Sequence, residues 1–307
     1  MQKMKLRILV IRLSSIGDII LTTPILRALN SQLHAEIIFL TKRRYAWVLK
    51  SNPAIDQIIH YEGGIPSSCR FDYVIDLQKN LRSYLYSKKI RAKRLTFQKL
   101  NVRKWLYTAF KSNVLPKEHL VDRYFKGLES LNLKNDGKGL DFFYEKKNIQ
   151  GLGLPEHYIV VNCGGLYFTK RIPALLAEKI IHKSDYPIVL LGGNDVDKNV
   201  KALKGASVFN LIGLTDFETS VAVVEKCTKL ITSDSALMHV GAALEKDMEV
   251  YWGNTTPSMG MYPYLPIESK AKIKNREVSS LQCRPCSKLG SAKCPKGHFR
   301  CMLEQAV

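Results

Sequence analysis

Apolar runs alternate with amphipathic stretches along the whole chain, a pattern that predicts strands separated by helices. In the first half the runs fall at 6–11, 36–40, 57–60 and 71–77. In the second half they restart at 157–161 and recur at 187–191, 208–212, 229–232 and 248–252. Strands and helices in strict alternation indicate a mostly parallel α/β architecture. Between the two series, residues 137–155 are charged and glycine-bearing with no sustained apolar periodicity, as a linker would be. No internal repeat or low-complexity tract interrupts the pattern. Two Rossmann-like domains, 1–150 and 151–307, with a cleft between them, are the economical organisation.

Composition narrows this picture. At 307 residues with 46% hydrophobic content the chain is globular, not disordered. No apolar stretch approaches the ~18 residues of a membrane span. The apolar stretch near the N-terminus is short, broken by Arg7 and ended by Arg12, so it reads as a first strand and not a signal peptide. A cytoplasmic protein is expected. The net charge of +20 calls for an anionic partner or surface. Its distribution says more. Residues 79–117 contain twelve Lys or Arg and no Asp or Glu, interleaved with Tyr84, Tyr86, Phe97, Trp105, Tyr107 and Phe110. Solvated helix faces usually mix signs. Nucleic acid, an anionic membrane and a phosphorylated glycolipid all fit such a stretch.

The first apolar run ends in Arg12-Leu13-Ser14-Ser15-Ile16-Gly17-Asp18, and a helix-like run follows. A buried strand, a small-residue turn and a helix start form the usual ligand-facing loop of an open α/β sheet. A dinucleotide finger carries three glycines, whereas this loop has only Gly17 and follows it with a carboxylate. An acid there repels a phosphate and suits a sugar hydroxyl, whose proton Asp18 could take. Asp18 as a plain helix cap is the alternative.

In the second half each strand ends in small or polar residues. Asn162-Cys163-Gly164-Gly165 leads to Thr169-Lys170-Arg171-Ile172-Pro173, placing Lys170 and Arg171 just before a helix whose dipole already favours an anion. Two exposed basic residues are the plainer reading. Ser233-Asp234-Ser235-Ala236-Leu237-Met238-His239 reads as strand end, cap and helix, whose first-turn N–H groups could hold a diphosphate with help from the Ser235 hydroxyl. His239 could donate to a phosphate or simply pack. Glu218 reaches the same rim and could accept from ribose hydroxyls, or act as a favourable dipole charge.

In order and spacing these segments resemble glycosyltransferase family 9, the ADP-heptose:lipopolysaccharide heptosyltransferases. The likeness rests on Arg12–Asp18 followed by Thr22-Thr23-Pro24, and on Asp76-Leu77-Gln78 with Asn80, Arg82 and Ser83. It also rests on Lys170–Pro173, on Asp234–His239 with Ala242 and Ala243, and on Gly253–Pro257. The resemblance implies a GT-B fold and a metal-independent, inverting transfer from a nucleotide diphosphate sugar to a lipid-linked sugar hydroxyl. It implies Asp18 as general base. For the donor it implies Lys170, Arg171, Glu218, Asp234, Ser235, Ala236, Leu237 and His239. For the acceptor it implies the first half, through Ser14, Ser15, Gly17, Gln78 and Arg82, and the basic stretch after it. The expected partners are an ADP-heptose-like donor and an anionic lipid-linked saccharide at the cytoplasmic face of the inner membrane, where the protein would be peripheral. Two departures stand out. Ser235-Ala236 replaces the family's Thr-Gly, adding a methyl where backbone would approach phosphate. Ile172 replaces the usual aromatic after the Lys-Arg pair.

Seven cysteines in a cytoplasmic chain should be mostly reduced. Cys69, Cys163 and Cys227 are scattered fillers. The tail series Cys283-x2-Cys286-x7-Cys294-x6-Cys301 has spacings that a structural zinc site can use, with His298 as a further ligand; thiol packing is the alternative. No catalytic cofactor is expected. A nucleic-acid-binding protein is the rival from another class, but no RNA-recognition or helix-turn-helix signature accompanies the charge, so no nucleic acid is expected. A nicotinamide dehydrogenase would need a Gly-x-Gly-x-x-Gly opening a helix, and the chain has none there. A catalytically idle relative would not need Asp18 and Lys170, both of which are present.

Overall fold

The structure, a computed structural model, describes residues 5–64, 69–112 and 114–307. Contacts divide the chain into two compact units, Met1–Lys99 with Glu118–Tyr144, and Leu100–Lys117 with Glu145–Val307. Two details differ from the sequence reading. The division falls at 144/145 and not 150/151, and residues 100–117 group with the second unit. Side chains explain both. Arg27 holds Asp136, Asp141 and the Gly139 carbonyl, tying the start of the expected linker to the first unit. Lys146 and Lys147 pair with Glu225 and Glu218 of the second unit. Lys111 donates to the carbonyls of Cys283 and Pro285, also in the second unit.

The first unit holds a five-stranded parallel sheet in the order β3-β2-β1-β4-β5. Its strands are β1 (Arg7–Ile11), β2 (Glu36–Thr41), β3 (Gln57–His60), β4 (Tyr73–Asp76) and β5 (Lys93–Thr96). Ile8 to Ile11 are fully buried, as befits a central strand. After β1 come α1 (Ile16–Ile20) and α2 (Thr23–Leu33). The hydroxyls of Thr22 and Thr23 bond back to the carbonyls of Ile19 and Ile20 where α1 hands over to α2, and Pro24 sits in the first turn, where its missing N–H costs nothing. After β4, α3 (Leu81–Lys88) is capped by Asn80, whose Oδ1 accepts from the Ser83 N–H at 2.9 Å. The chain then runs through α4 (Asn101–Phe110), which belongs with the second unit, and returns in α5 (Leu120–Gly127).

The second unit holds a six-stranded parallel sheet in the order β11-β10-β9-β6-β7-β8. Its strands are β6 (Ile159–Asn162), β7 (Ile188–Leu191), β8 (Val208–Asn210), β9 (Lys229–Ser233), β10 (Met248–Trp252) and β11 (Ile273–Glu277). The helices are α6 (Ala174–Lys183), α7 (Lys198–Lys201), α8 (Phe217–Lys226), α9 (Ala236–Ala243) and α10 (Arg300–Leu303). One core cluster joins Val161, Ile188, Leu190 and Ile231 from the sheet to Leu176 and Ile180 of α6 and to Cys301 and Met302 of α10. The tail is thus part of this unit's core.

Nine strands lie where the apolar runs predict them. The two not anticipated, β5 and β11, are sheet edges with the sequences Lys-Arg-Leu-Thr and Ile-Lys-Asn-Arg-Glu. Edge strands carry charge to discourage pairing with other chains, and that erases the apolar signal. Among the described residues no helix is long and apolar enough to cross a membrane.

Candidate active site

Each sheet has a point where the strand order reverses. From β1 the chain moves outward to β2 and β3, then returns to β4 on the other flank of β1. The loops after β1 and β4 therefore diverge and leave a crevice at the carboxyl ends, where open α/β sheets bind ligands. In the second unit the same reversal lies between β6 and β9. All the strongest sequence candidates fall on these four loops.

In the first crevice Asp18 sits early in α1 with its carboxylate partly exposed. Its Oδ1 lies 2.7 Å from Arg12 Nη2, and its Oδ2 accepts from the Ser15 N–H at 3.2 Å and the Ser15 hydroxyl at 2.9 Å. Asp18 therefore does both things the sequence allowed: it caps its helix and presents a charge. Burial pushes its pKa up, but Arg12 and the two Ser15 hydrogen bonds outweigh that, and the carboxyl lies below its ordinary range. Arg12 is itself buried. Its guanidinium also donates to the carbonyls of Ser14 and Leu77 and to the Tyr124 hydroxyl. Burial drives the Tyr124 pKa up to about 12, so the phenol stays neutral.

From the other side of the crevice, Gln78 Oε1 accepts from the Leu13 N–H at 2.9 Å. The fully buried Asp76 fixes that loop. Its carboxylate accepts from the Gln78 and Lys79 N–H groups, the Ser83 hydroxyl and Arg94. Gln78 and Ser15 are therefore braces as well as surface groups. Ser14 contributes its carbonyl, Gly17 is buried and Arg82 is exposed.

In the second crevice Lys170, from the β6–α6 loop, lies 2.7 Å from Asp234 Oδ2 in the β9–α9 loop. Thr255 donates its hydroxyl to the same oxygen at 2.8 Å. Gly253 permits this closeness, since a Cβ there would stand 2.5 Å from the Thr169 carbonyl. An ammonium has three donors, so Lys170 can bind an anionic oxygen without releasing Asp234. Ser235 is the cap position of α9 but makes no side-chain cap; its Oγ accepts from Asn162 Nδ2 at 2.9 Å and lies 3.1 Å from Thr232 Oγ1. The first-turn N–H groups of α9 thus receive nothing from that hydroxyl.

Several of the residues singled out in the sequence have partners of their own here. Arg171 braces two loops by donating to the Gly165 carbonyl and to Asp195. Leu237 and His239 are buried at 6% and 2% exposure, so Leu237 can reach a ligand only through its backbone and His239 is a packed residue; Ala236 next to them is half-buried. Glu218, in the first turn of α8 at the same sheet edge, is paired with Lys147 at 3.1 Å. The tail cysteines do not form the ligand set their spacing suggests. Among the described residues no group of three or more His, Cys, Asp or Glu is arranged to hold a metal ion. Cys301 belongs to the core, where burial pushes its thiol up to about 12, and burial also raises Cys286. Cys283 Sγ lies 3.8 Å from His298 Nε2.

The model of glycosyltransferase family 9 (heptosyltransferase) matches residues 67–294, most of the chain and both crevices' later loops. The chain belongs to glycosyltransferase family 9. Among its relatives, lipooligosaccharide heptosyltransferase 2 of Haemophilus influenzae is 24% identical over 260 residues, 80% of this chain and 67% of that one. Lipopolysaccharide heptosyltransferase 2 of Salmonella typhimurium is 30% identical over 131 residues, 38% of this chain and 36% of that one. A family 9 glycosyltransferase structure from Veillonella parvula superposes with a TM-score of 0.66 at 23% identity, covering 89% of this chain and 88% of that one. The structure of Escherichia coli heptosyltransferase II does so at 0.62 and 21%, covering 89% and 91%. The fold of this family 9 glycosyltransferase is GT-B, with two Rossmann-like units.

Some groups of this glycosyltransferase escape a reading of the sequence. Arg12 looks like the polar end of a strand, and Asp76 like the end of another. Their pairing with Asp18 and with the Gln78 loop is visible only when β1 and β4 are known to be neighbours, with Ile11 opposite Asp76. Thr255 is similar: its role depends on β10 lying beside β9.

Proposed function

We propose that this glycosyltransferase moves a heptose from an ADP-sugar to a hydroxyl of a lipopolysaccharide-core acceptor, with inversion and without a catalytic metal. The observation that carries the reading is the Asp18 carboxylate, held ionised by Arg12 in a crevice that also presents Gln78. The names of the relatives, and an Escherichia coli heptosyltransferase solved with ADP, support the choice of sugar and nucleotide.

In a single displacement the acceptor oxygen bonds to the anomeric carbon as the bond from that carbon to the diphosphate oxygen breaks. The acceptor proton passes to Asp18. A carboxylate with a depressed pKa is a weak base for a free hydroxyl, but the hydroxyl turns strongly acidic as its oxygen bonds to the sugar, so late proton transfer suffices. Charge accumulates on the departing ADP, where the Lys170 ammonium and the first-turn N–H groups of α9 can receive it. Those groups supply the positive charge that a metal would otherwise bring. A nucleoside diphosphate leaves readily, so the paired carboxylates of a glycosidase are unnecessary.

A screen of nucleotide sugars by thermal shift, followed by product analysis with core acceptors, tests the assignment. ADP-heptose should stabilise the protein most and yield a product of inverted anomeric configuration. Stabilisation and turnover by a different nucleotide sugar would replace the donor, and retention of configuration would overturn the single displacement.

A further inference from the structure

Helix α4 carries the apolar stripe of a core helix on its outer side. Val102, Trp105, Leu106, Ala109 and Phe110 follow the i, i+3, i+4, i+7, i+8 spacing that normally faces a core. Yet Val102 is 70%, Trp105 57% and Phe110 67% exposed, Ala109 is exposed, and Leu106 is half-buried. The helix's one buried residue is Lys104, on the opposite side. Trp105 and Phe110 meet edge to face with ring centres 5.7 Å apart, so the stripe is continuous. The orientation is enforced. Lys111, which ends the helix, donates to the carbonyls of Thr108, Cys283 and Pro285.

We propose that α4 is an interfacial helix that lays this stripe into the surface of an anionic bilayer. Ten residues rise only about 15 Å, half of a ~30 Å hydrocarbon core, so the helix can lie in the interface but not span it. Trp and Phe suit the boundary between headgroup and acyl chain. Charge selects the occupant. Exposed Arg103 flanks the stripe, exposed Lys117 lies just after it, and no acid occurs anywhere in 79–117. Anionic lipid complements that surface. A second copy would bring together two chains of net charge +20, which opposes self-association. The proposal is independent of which sugar is transferred.

Flotation and sedimentation of the full chain with phosphatidylglycerol–phosphatidylethanolamine vesicles test it, with pure phosphatidylcholine vesicles in parallel. The wild type should bind the anionic vesicles and weaken with salt. Its tryptophan emission should shift to the blue on binding, a shift that Trp105→Phe removes. Val102→Ser with Trp105→Ser and Phe110→Ser should reduce binding about tenfold or more. The same variant should keep the wild-type unfolding temperature and the wild-type affinity for ADP. Wild-type vesicle binding by that triple variant would overturn the proposal, as would equal binding to both vesicle types. So would a dimer in solution that the triple variant dissociates. Failure of the wild type to bind ADP would count against the proposed activity instead, leaving the vesicle result to stand by itself.

Discussion

Arg12 is the residue whose contribution is most easily separated from the rest. It holds Asp18 below the ordinary carboxylate range, and the active form of a general base is the ionised one. Activity is therefore lost only as pH falls through that depressed value, and the acid limb of kcat/KM should lie below that of an ordinary aspartate. The stability Asp18 contributes follows the same sense: fully present above the unfolded-state pKa, it is lost as pH falls through the lower folded-state value. Arg12→Lys keeps a charge but loses the planar fork that also grips Ser14, Leu77 and Tyr124. The acid limb should then rise toward the ordinary range. A pH–rate profile with an unmoved acid limb in Arg12→Lys would show that the pair does not set the base.

At the scale of elements, the β6–α6 loop and the start of α9 are predicted to hold the donor diphosphate, and the tail is predicted to be packing. Lys170→Ala should weaken ADP binding by about 1–3 kcal/mol, as loss of a hydrogen bond to a charged group does. Calorimetry giving wild-type affinity would remove Lys170 from the site. For the tail, the place of Cys301 in the core of the second unit favours thiol packing over a metal cluster. Dialysis against chelator should leave the melting temperature unchanged, and zinc near one equivalent that is lost together with stability would reverse that reading. These elements also show what a sequence can hide. Lys170 and Asp18 follow strand ends, as the sequence suggests, and each keeps a partly exposed charge. Arg171, Leu237 and His239 share those positions but are turned to bracing or to the core, and spacing alone does not distinguish the two. The zinc-like spacing failed for a related reason, since one of its four thiols had already been drawn into the core of the second unit.

For the whole molecule, central strands were legible because burial on both faces leaves a run of Val, Ile and Leu. β5 and β11 were not, because these two edges are written in charge. The basic stretch at 79–117 is likewise not one surface. Lys79 and Lys99 bond to backbone carbonyls, Arg94 to Asp76, Lys111 to the tail, and Lys104 is buried. The exposed remainder in the first unit includes Lys88, Lys89, Arg91 and Lys93. Reversing those four charges should raise the acceptor KM and leave ADP affinity alone; unchanged acceptor kinetics in a folded variant would make them plain solvated charge. The central claim is a division of labour: the base belongs to the first unit and the donor-holding groups to the second. The most direct test is Asp18→Asn, measured for both ADP affinity by calorimetry and transfer rate at saturating donor. Wild-type ADP affinity is expected, with a transfer rate reduced roughly a hundredfold or more. Transfer at near wild-type rate by Asp18→Asn would contradict the central claim.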